Sequence, residues 1–65
     1  MDFAKRLRKA MRERNLSQAE VARTIGVSPQ AVLGLLRGSE PKLSTYASLV
    51  AAYPELSIEN GPGAA

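Results

Sequence analysis

The stretch LSQAEVARTIGVSPQAVLGLLRG, residues 16–38, decides the fold, because it holds two helix starts and two helix stops in close succession. In SQAE, residues 17–20, the Ser17 hydroxyl can accept from the backbone N–H of Glu20 while the Glu20 carboxylate reaches back to the N–H of Ser17. That reciprocal arrangement marks a helix N-terminus. Ala19, Val21, Ala22 and Ile25 supply the apolar positions of this helix, and Gly26 ends it, glycine being the residue that accepts a left-handed conformation after a last turn. Val27 follows, and then Ser28 and Pro29 start again: a hydroxyl cap, and a proline whose missing N–H costs nothing at the first helical position. This second helix runs to Gly38, with Val27, Val32 and Leu35 on its inner face.

Outward from this stretch, Phe3, Leu7, Ala10 and Met11 recur at helical spacing, so residues 2–14 read as an amphipathic helix with a basic outer face, broken at Asn15 and Leu16. SEPK, residues 39–42, reads as a loop, because Pro41 disfavours a helical conformation at Glu40. A fourth helix is expected from Leu43, Tyr46 or Ala47, Val50 and Tyr53, with Ser44 as its cap and Pro54 as its end. After the pair Leu56 and Ile58 the sequence turns to Gly, Pro and Ala. The organisation expected is therefore one domain over residues 1–58 and a disordered tail over 59–65. The fold class expected is all-α, a small domain of four to five helices around a helix-turn-helix. Within it Ala22 sits where the two short helices cross, and a larger side chain there would push them apart.

Sixty-five residues bury only roughly 60 % of the surface of the unfolded chain, so oligomerisation is a plausible supplement to stability. There is no cysteine and no histidine, which removes the disulfide staple, the thiolate site, the commonest metal ligand and the usual acid/base catalyst. With no paired carboxylates and no glycine-rich phosphate loop either, the chain reads as a non-enzyme without metal or cofactor. No apolar run approaches the roughly 20 residues that span a bilayer, so the expected location is the cytoplasm, in association with the nucleoid. The net charge is +3 and unevenly placed. Residues 1–14 hold Lys5, Arg6, Arg8, Lys9, Arg12 and Arg14 against Asp2 and Glu13, more positive than the whole chain, which leaves a slight negative balance in the remainder. Such a field attracts a polyanion.

Residues 16–38, with YASLVAAYPELS after them, resemble the phage Cro/cI-type (Xre-like) transcriptional repressors over about two thirds of the chain. Gln18, Ala22, Gly26, Val27, Ser28, Val32 and Gly38 stand where that pattern expects them. The resemblance implies a lambda-repressor-like DNA-binding module, usually a homodimer on a double-stranded operator, with the third helix in the major groove. Carried over by position, Gln18 contacts a phosphate, while Ser28, Gln30, Ala31 and Leu33 face base edges. Gln30 is the leading reader, since its amide can pair both ways with adenine. Lys5, Arg6, Arg37 and Lys42 complete the expected phosphate contacts. For Arg37 the rival is a cation serving the helix C-terminus, and for the first helix it is an ordinary solvated face or, more weakly, a membrane surface.

Several positions depart from the pattern. Gly34 stands where a long polar side chain is usual, Leu33 where serine is frequent and Leu36 where glutamate is usual, and the family's fifth helix is shortened to SIENGPGAA. Leu33 and Leu36 either complete the core, touch thymine methyl groups, or meet a protein partner such as another repressor. The alternative function is thus a helix-turn-helix module that binds protein through a leucine-bearing third helix.

Overall fold

The computed structural model describes residues 3–57, and within them all regular structure is helical. The elements are α1 (Phe3–Arg14), α2 (Gln18–Ile25), α3 (Pro29–Leu36), α4 (Leu43–Ala52) and a 3₁₀ turn over Pro54–Leu56. The all-α, helix-turn-helix architecture expected from the sequence is the one observed. The expectation of disorder over residues 59–65 falls outside the described residues, as does Ile58.

Each helix stops for a local reason. Asn15 takes a left-handed conformation, φ 56°, and the N–H groups of Asn15 and Leu16 turn back to the carbonyls of Arg12 and Met11 at 3.2 and 2.8 Å. Two carbonyls of the last turn of α1 are thereby satisfied, and Leu16 folds onto the core. Gly38, at φ 111°, repeats the device after α3: its N–H and that of Ser39 reach Leu35 O and Gly34 O. Between α2 and α3, Gly26 at φ 77° lets its own N–H and that of Val27 converge on the carbonyl of Ala22, at 2.8 and 3.0 Å.

α2 and α3 pack on each other; α1 lies against α3 and the 3₁₀ turn, and α4 closes on α2 and the same turn. The shared core is Leu7, Ala10, Met11, Val21, Ala22, Val32, Leu35, Leu49, Tyr53 and Leu56. Val27 and Ile25 are half-buried against it and Ala19 is exposed.

Two expectations for the fourth helix need correction. Ser44 is not its cap: the cap lies two residues earlier, where Lys42 occupies the position without a side-chain hydrogen bond and α4 begins at Leu43, and the N–H of Tyr46 already bonds Lys42 O at 2.8 Å. The apolar phase is also displaced. Leu49 is fully buried, Tyr46 and Val50 are half-buried, Ala47 is exposed, and Leu43 is 84 % exposed. Helical side chains lean toward the N-terminus, so at the first position of α4 the leucine projects past the core rather than into it. Pro54 does follow the end of the helix, but the chain then makes the 3₁₀ turn, which the sequence reading did not anticipate, and this turn drives Leu56 to complete burial.

Leu56 therefore acts as the closing plug of the core. Leu56→Ala is expected to lower unfolding free energy by about 2–5 kcal/mol in denaturant titration. A change below about 1 kcal/mol would show that the 3₁₀ turn contributes nothing to the core. At the crossing of α2 and α3, where Ala22 is 2 % exposed, Ala22→Leu is expected to cost about 1–3 kcal/mol by overpacking. An unchanged melting temperature would contradict the tight crossing.

Candidate nucleic-acid interface

The start of α3 is built by its own sequence. Ser28 has extended backbone, φ −78° and ψ 155°, and its hydroxyl accepts from the N–H of Ala31 at 3.2 Å; Pro29 occupies the first turn. Val32 and Leu35 turn inward to nearly complete burial. The opposite face must then carry Gln30, Leu33, Gly34 and Arg37, at spacings of three and four residues. Ser28, Gln30, Ala31 and Arg37 are exposed, whereas Leu33 and Gly34 are half-buried. The structure thus brings Ser28, Gln30, Ala31 and Leu33 together at one end of one short helix. Gln30 is the one among them with a long, exposed side chain able to donate and accept at once.

Leu36 behaves differently from Leu33. It packs against the core, and its carbonyl accepts from Nη2 of Arg8 at 2.7 Å. The Arg8 guanidinium so places a cation on the C-terminal end of α3, a role for which the sequence offers Arg37. Sequence reasoning missed Arg8 because nothing distinguishes it from the five other cations of the N-terminal segment until α1 and α3 are packed. Arg37 itself is exposed at the cap position after α3.

Gly34 has ordinary helical backbone and space beside it: a Cβ there would meet only Ser39 Oγ, at 3.7 Å. The missing side chain leaves a shallow groove of about 370 Å³ between α3, the loop over residues 39–42 and the start of α4. Ala31 and Gly34 line it from α3, and Ser39, Lys42 and Thr45 from the other side. Lys42 is exposed on this rim. Gln18 is the first residue of α2, half-buried, immediately after the reciprocal cap in which Glu20 N–H donates to Ser17 Oγ at 3.1 Å and Ser17 N–H donates to Glu20 Oε1 at 2.9 Å.

The basic side chains of α1 divide in two. Arg6 is half-buried and donates to the carbonyl of Leu56, Arg8 is spent on Leu36, and Arg14 forms a two-point ion pair with Glu55, Nε to Oε2 at 2.6 Å and Nη2 to Oε1 at 2.7 Å, while lying 5.0 Å above the Tyr53 ring. Lys5, by contrast, is exposed on the outer face with Lys9 and Arg12. Of the two α1 cations expected at phosphate, then, Lys5 is free to meet one and Arg6 is held by the 3₁₀ turn.

Two carboxylates are held below their ordinary range. The hydrogen bond from the backbone of Ser17, then that from its hydroxyl, lowers Glu20. The hydrogen bond from Arg14 lowers Glu55, and the same contact raises Arg14. A folded-state pKa below the unfolded one stabilises at neutral pH and loses that contribution as pH falls through the folded value. Both groups are exposed, so the effect is modest and, for the ion pair, weakened by salt. The melting temperature is expected to decline as the pH drops through the carboxylate range, and Glu55→Gln is expected to flatten part of the decline. Parallel acid profiles for wild type and Glu55→Gln would remove Glu55 as a contributor.

Among the described residues no group of His, Cys, Asp and Glu could hold a metal ion, and no helix is long and apolar enough to cross a membrane. A protein-family model described as helix-turn-helix matches residues 7–60. Comparison with curated proteins and with solved structures gave no match.

Proposed function

The chain belongs to the Cro/cI-type (Xre-like) helix-turn-helix family, a family of DNA-binding transcription regulators, and from that membership we propose that it acts as a repressor occupying a double-stranded operator through α3. The observation that carries this reading is the exposed N-terminal end of α3, where Gln30 stands beside Ser28 while Val32 and Leu35 anchor the helix from behind. Phosphate contacts by Gln18, Arg37, Lys42 and Lys5 set the register, and Gln30 supplies base discrimination, with Ala31 and Leu33 offering apolar contact to thymine methyl groups. The cytoplasm, near the nucleoid, is the matching location. A homodimer would set two α3 helices about 34–36 Å apart on a two-fold operator.

The rival, in which α3 binds a protein through Leu33 and Leu36, loses support from the packing of Leu36 on the core. Leu33 and Leu36 are both half-buried, and with Leu36 packed on the core, Leu33 is left as the leucine on the face that Gln30 shares. An interface core needs more than one such anchor.

Selection from a random duplex pool, followed by substitution of each base pair, tests the assignment. Gln30→Ala is expected to lower discrimination at one base-pair position by about 1–3 kcal/mol while nonspecific binding survives. Gln18→Ala is expected to weaken all sequences alike, because a phosphate contact carries no sequence information. The proposal fails if no duplex is retained at low salt, or if Leu36→Glu, still helical by circular dichroism, releases a protein partner.

A further inference from the structure

We infer that Gly34 sets the depth at which α3 seats on DNA: its missing side chain gives the duplex direct approach to the helix backbone, and without that approach the Gln30 amide does not reach a base edge. The inference rests on the reading of α3 as the operator-facing helix and deepens it by naming a residue that determines its specificity.

Gly34 is a glycine that the fold does not require. Gly26 and Gly38 hold φ 77° and 111°, where a side chain is strained, whereas Gly34 lies inside α3 and outside that set. Packing makes no demand either, because an added Cβ would meet only Ser39 Oγ, at an ordinary 3.7 Å. Glycine nevertheless weakens a helix relative to alanine, through the backbone entropy lost on folding. α3 has eight residues in which to recover that loss. The domain thus carries a destabilising residue at position 34 that its own architecture does not explain, which is the pattern expected where function and stability compete.

The place of Gly34 on α3 supplies the explanation. It follows Gln30 by four residues and precedes Arg37 by three, so the three share one row, with Leu33 beside it. At 100° per residue, Gly34 lies about 50° from the direction opposite the buried Val32 and Leu35. DNA that meets Gln30 at a base and Arg37 at a phosphate therefore passes over Gly34.

Dimensions make a bare position in that row matter. The major groove is about 12 Å wide and 8.5 Å deep, and a helix with its side chains is about 10–12 Å across. A helix of that width fills the groove, and a side chain added in the contacted row holds the backbone farther from the base edges. The reach of glutamine is fixed, so the clearance at Gly34 decides whether its amide pairs. The groove of about 370 Å³ that Gly34 lines extends the clearance toward Ser39 and Thr45.

The test uses the full chain, the tightest-binding duplex selected from a random pool, its single base-pair variants and a duplex of unrelated sequence. Gly34→Ala is expected to raise the melting temperature of the free domain by a few degrees, and to weaken binding to the selected duplex by about threefold. Gly34→Leu, helical by circular dichroism, is expected to weaken the selected duplex by about tenfold or more, while the unrelated duplex, held through phosphates, changes less than about threefold. Discrimination is expected to flatten in Gly34→Leu at all the base pairs that α3 reads, against the single position flattened by Gln30→Ala. A melting temperature unchanged or lowered by Gly34→Ala shows that the fold does use the glycine, and overturns the inference. Wild-type affinity of Gly34→Leu for the selected duplex does the same, as does an equal loss on both duplexes. A loss confined to one base pair makes position 34 the neighbour of one base rather than a depth stop, which also overturns it. Should Gly34→Leu not fold, Gly34→Ala decides alone: a stabilised variant with undiminished affinity for the selected duplex removes the inference. Failure to select any duplex is a different result, because it removes the operator reading itself, whereas discrimination lost in Gln30→Ala and kept in Gly34→Leu leaves that reading in place and removes this one.

Discussion

The carbonyl of Ala22 receives the N–H groups of both Gly26 and Val27, while the methyl group of the same residue is buried in the core that α2 and α3 share. The rest of the domain depends on this arrangement. A side chain no larger than methyl lets the two helices approach, and the left-handed glycine four residues later turns the chain within the distance that the approach allows. Both conditions must hold together, since either alone leaves α3 without a fixed direction. Once they hold, Val32 and Leu35 have one place to go, and the outward stripe of α3 follows from helical periodicity.

α3 is too short to persist by itself, because an eight-residue helix cannot recover the cost of its nucleation. It is held from three sides. Ser28 caps its start, two apolar side chains fix its inner face, and the Arg8 guanidinium on Leu36 O satisfies its end from another helix. A reading helix must present polar groups in a fixed geometry. Here that rigidity comes from tertiary packing, since neither helix propensity nor the glycine at position 34 supplies it.

The first helix does two jobs with its cations. Its inward-leaning arginines bind the domain together: Arg6 reaches the 3₁₀ turn, Arg14 pairs with Glu55 over Tyr53, and Arg8 holds α3. Arginine suits these contacts because its planar fork can donate to several acceptors while its stem covers apolar surface. The outward row keeps its charge for the solvent or a ligand. A basic segment that composition alone presents as one positive field is, in the folded chain, half scaffold and half surface.

Much of this was legible in the chain of letters, because the signals are local. The SQAE box, Gly26 and the Ser28–Pro29 start set the limits of α2 and of the start of α3 through backbone hydrogen bonding within a few residues, and the inward positions of α3 follow from its periodicity. Those signals sufficed for the fold class, for the motif and for Gln30 on an exposed helix end. Where signals were weak the tertiary structure decided. The fourth helix has no charged residue to mark its outer face, so its apolar pattern was compatible with more than one phase, and packing chose Leu49 over Leu43. The 3₁₀ turn carries a proline and a leucine that could equally belong to a tail, and only the space left between α1 and α4 draws Leu56 inside. Leu33 and Leu36 are the same residue three positions apart, yet one packs against the core and the other keeps to the face that Gln30 shares. Likewise six neighbouring cations stand in one short segment of sequence, and the partners of Arg6, Arg8 and Arg14, from Leu36 O to Leu56 O, lie more than 25 residues away. A local signal cannot carry that assignment, because the acceptors come into reach only when the helices have packed.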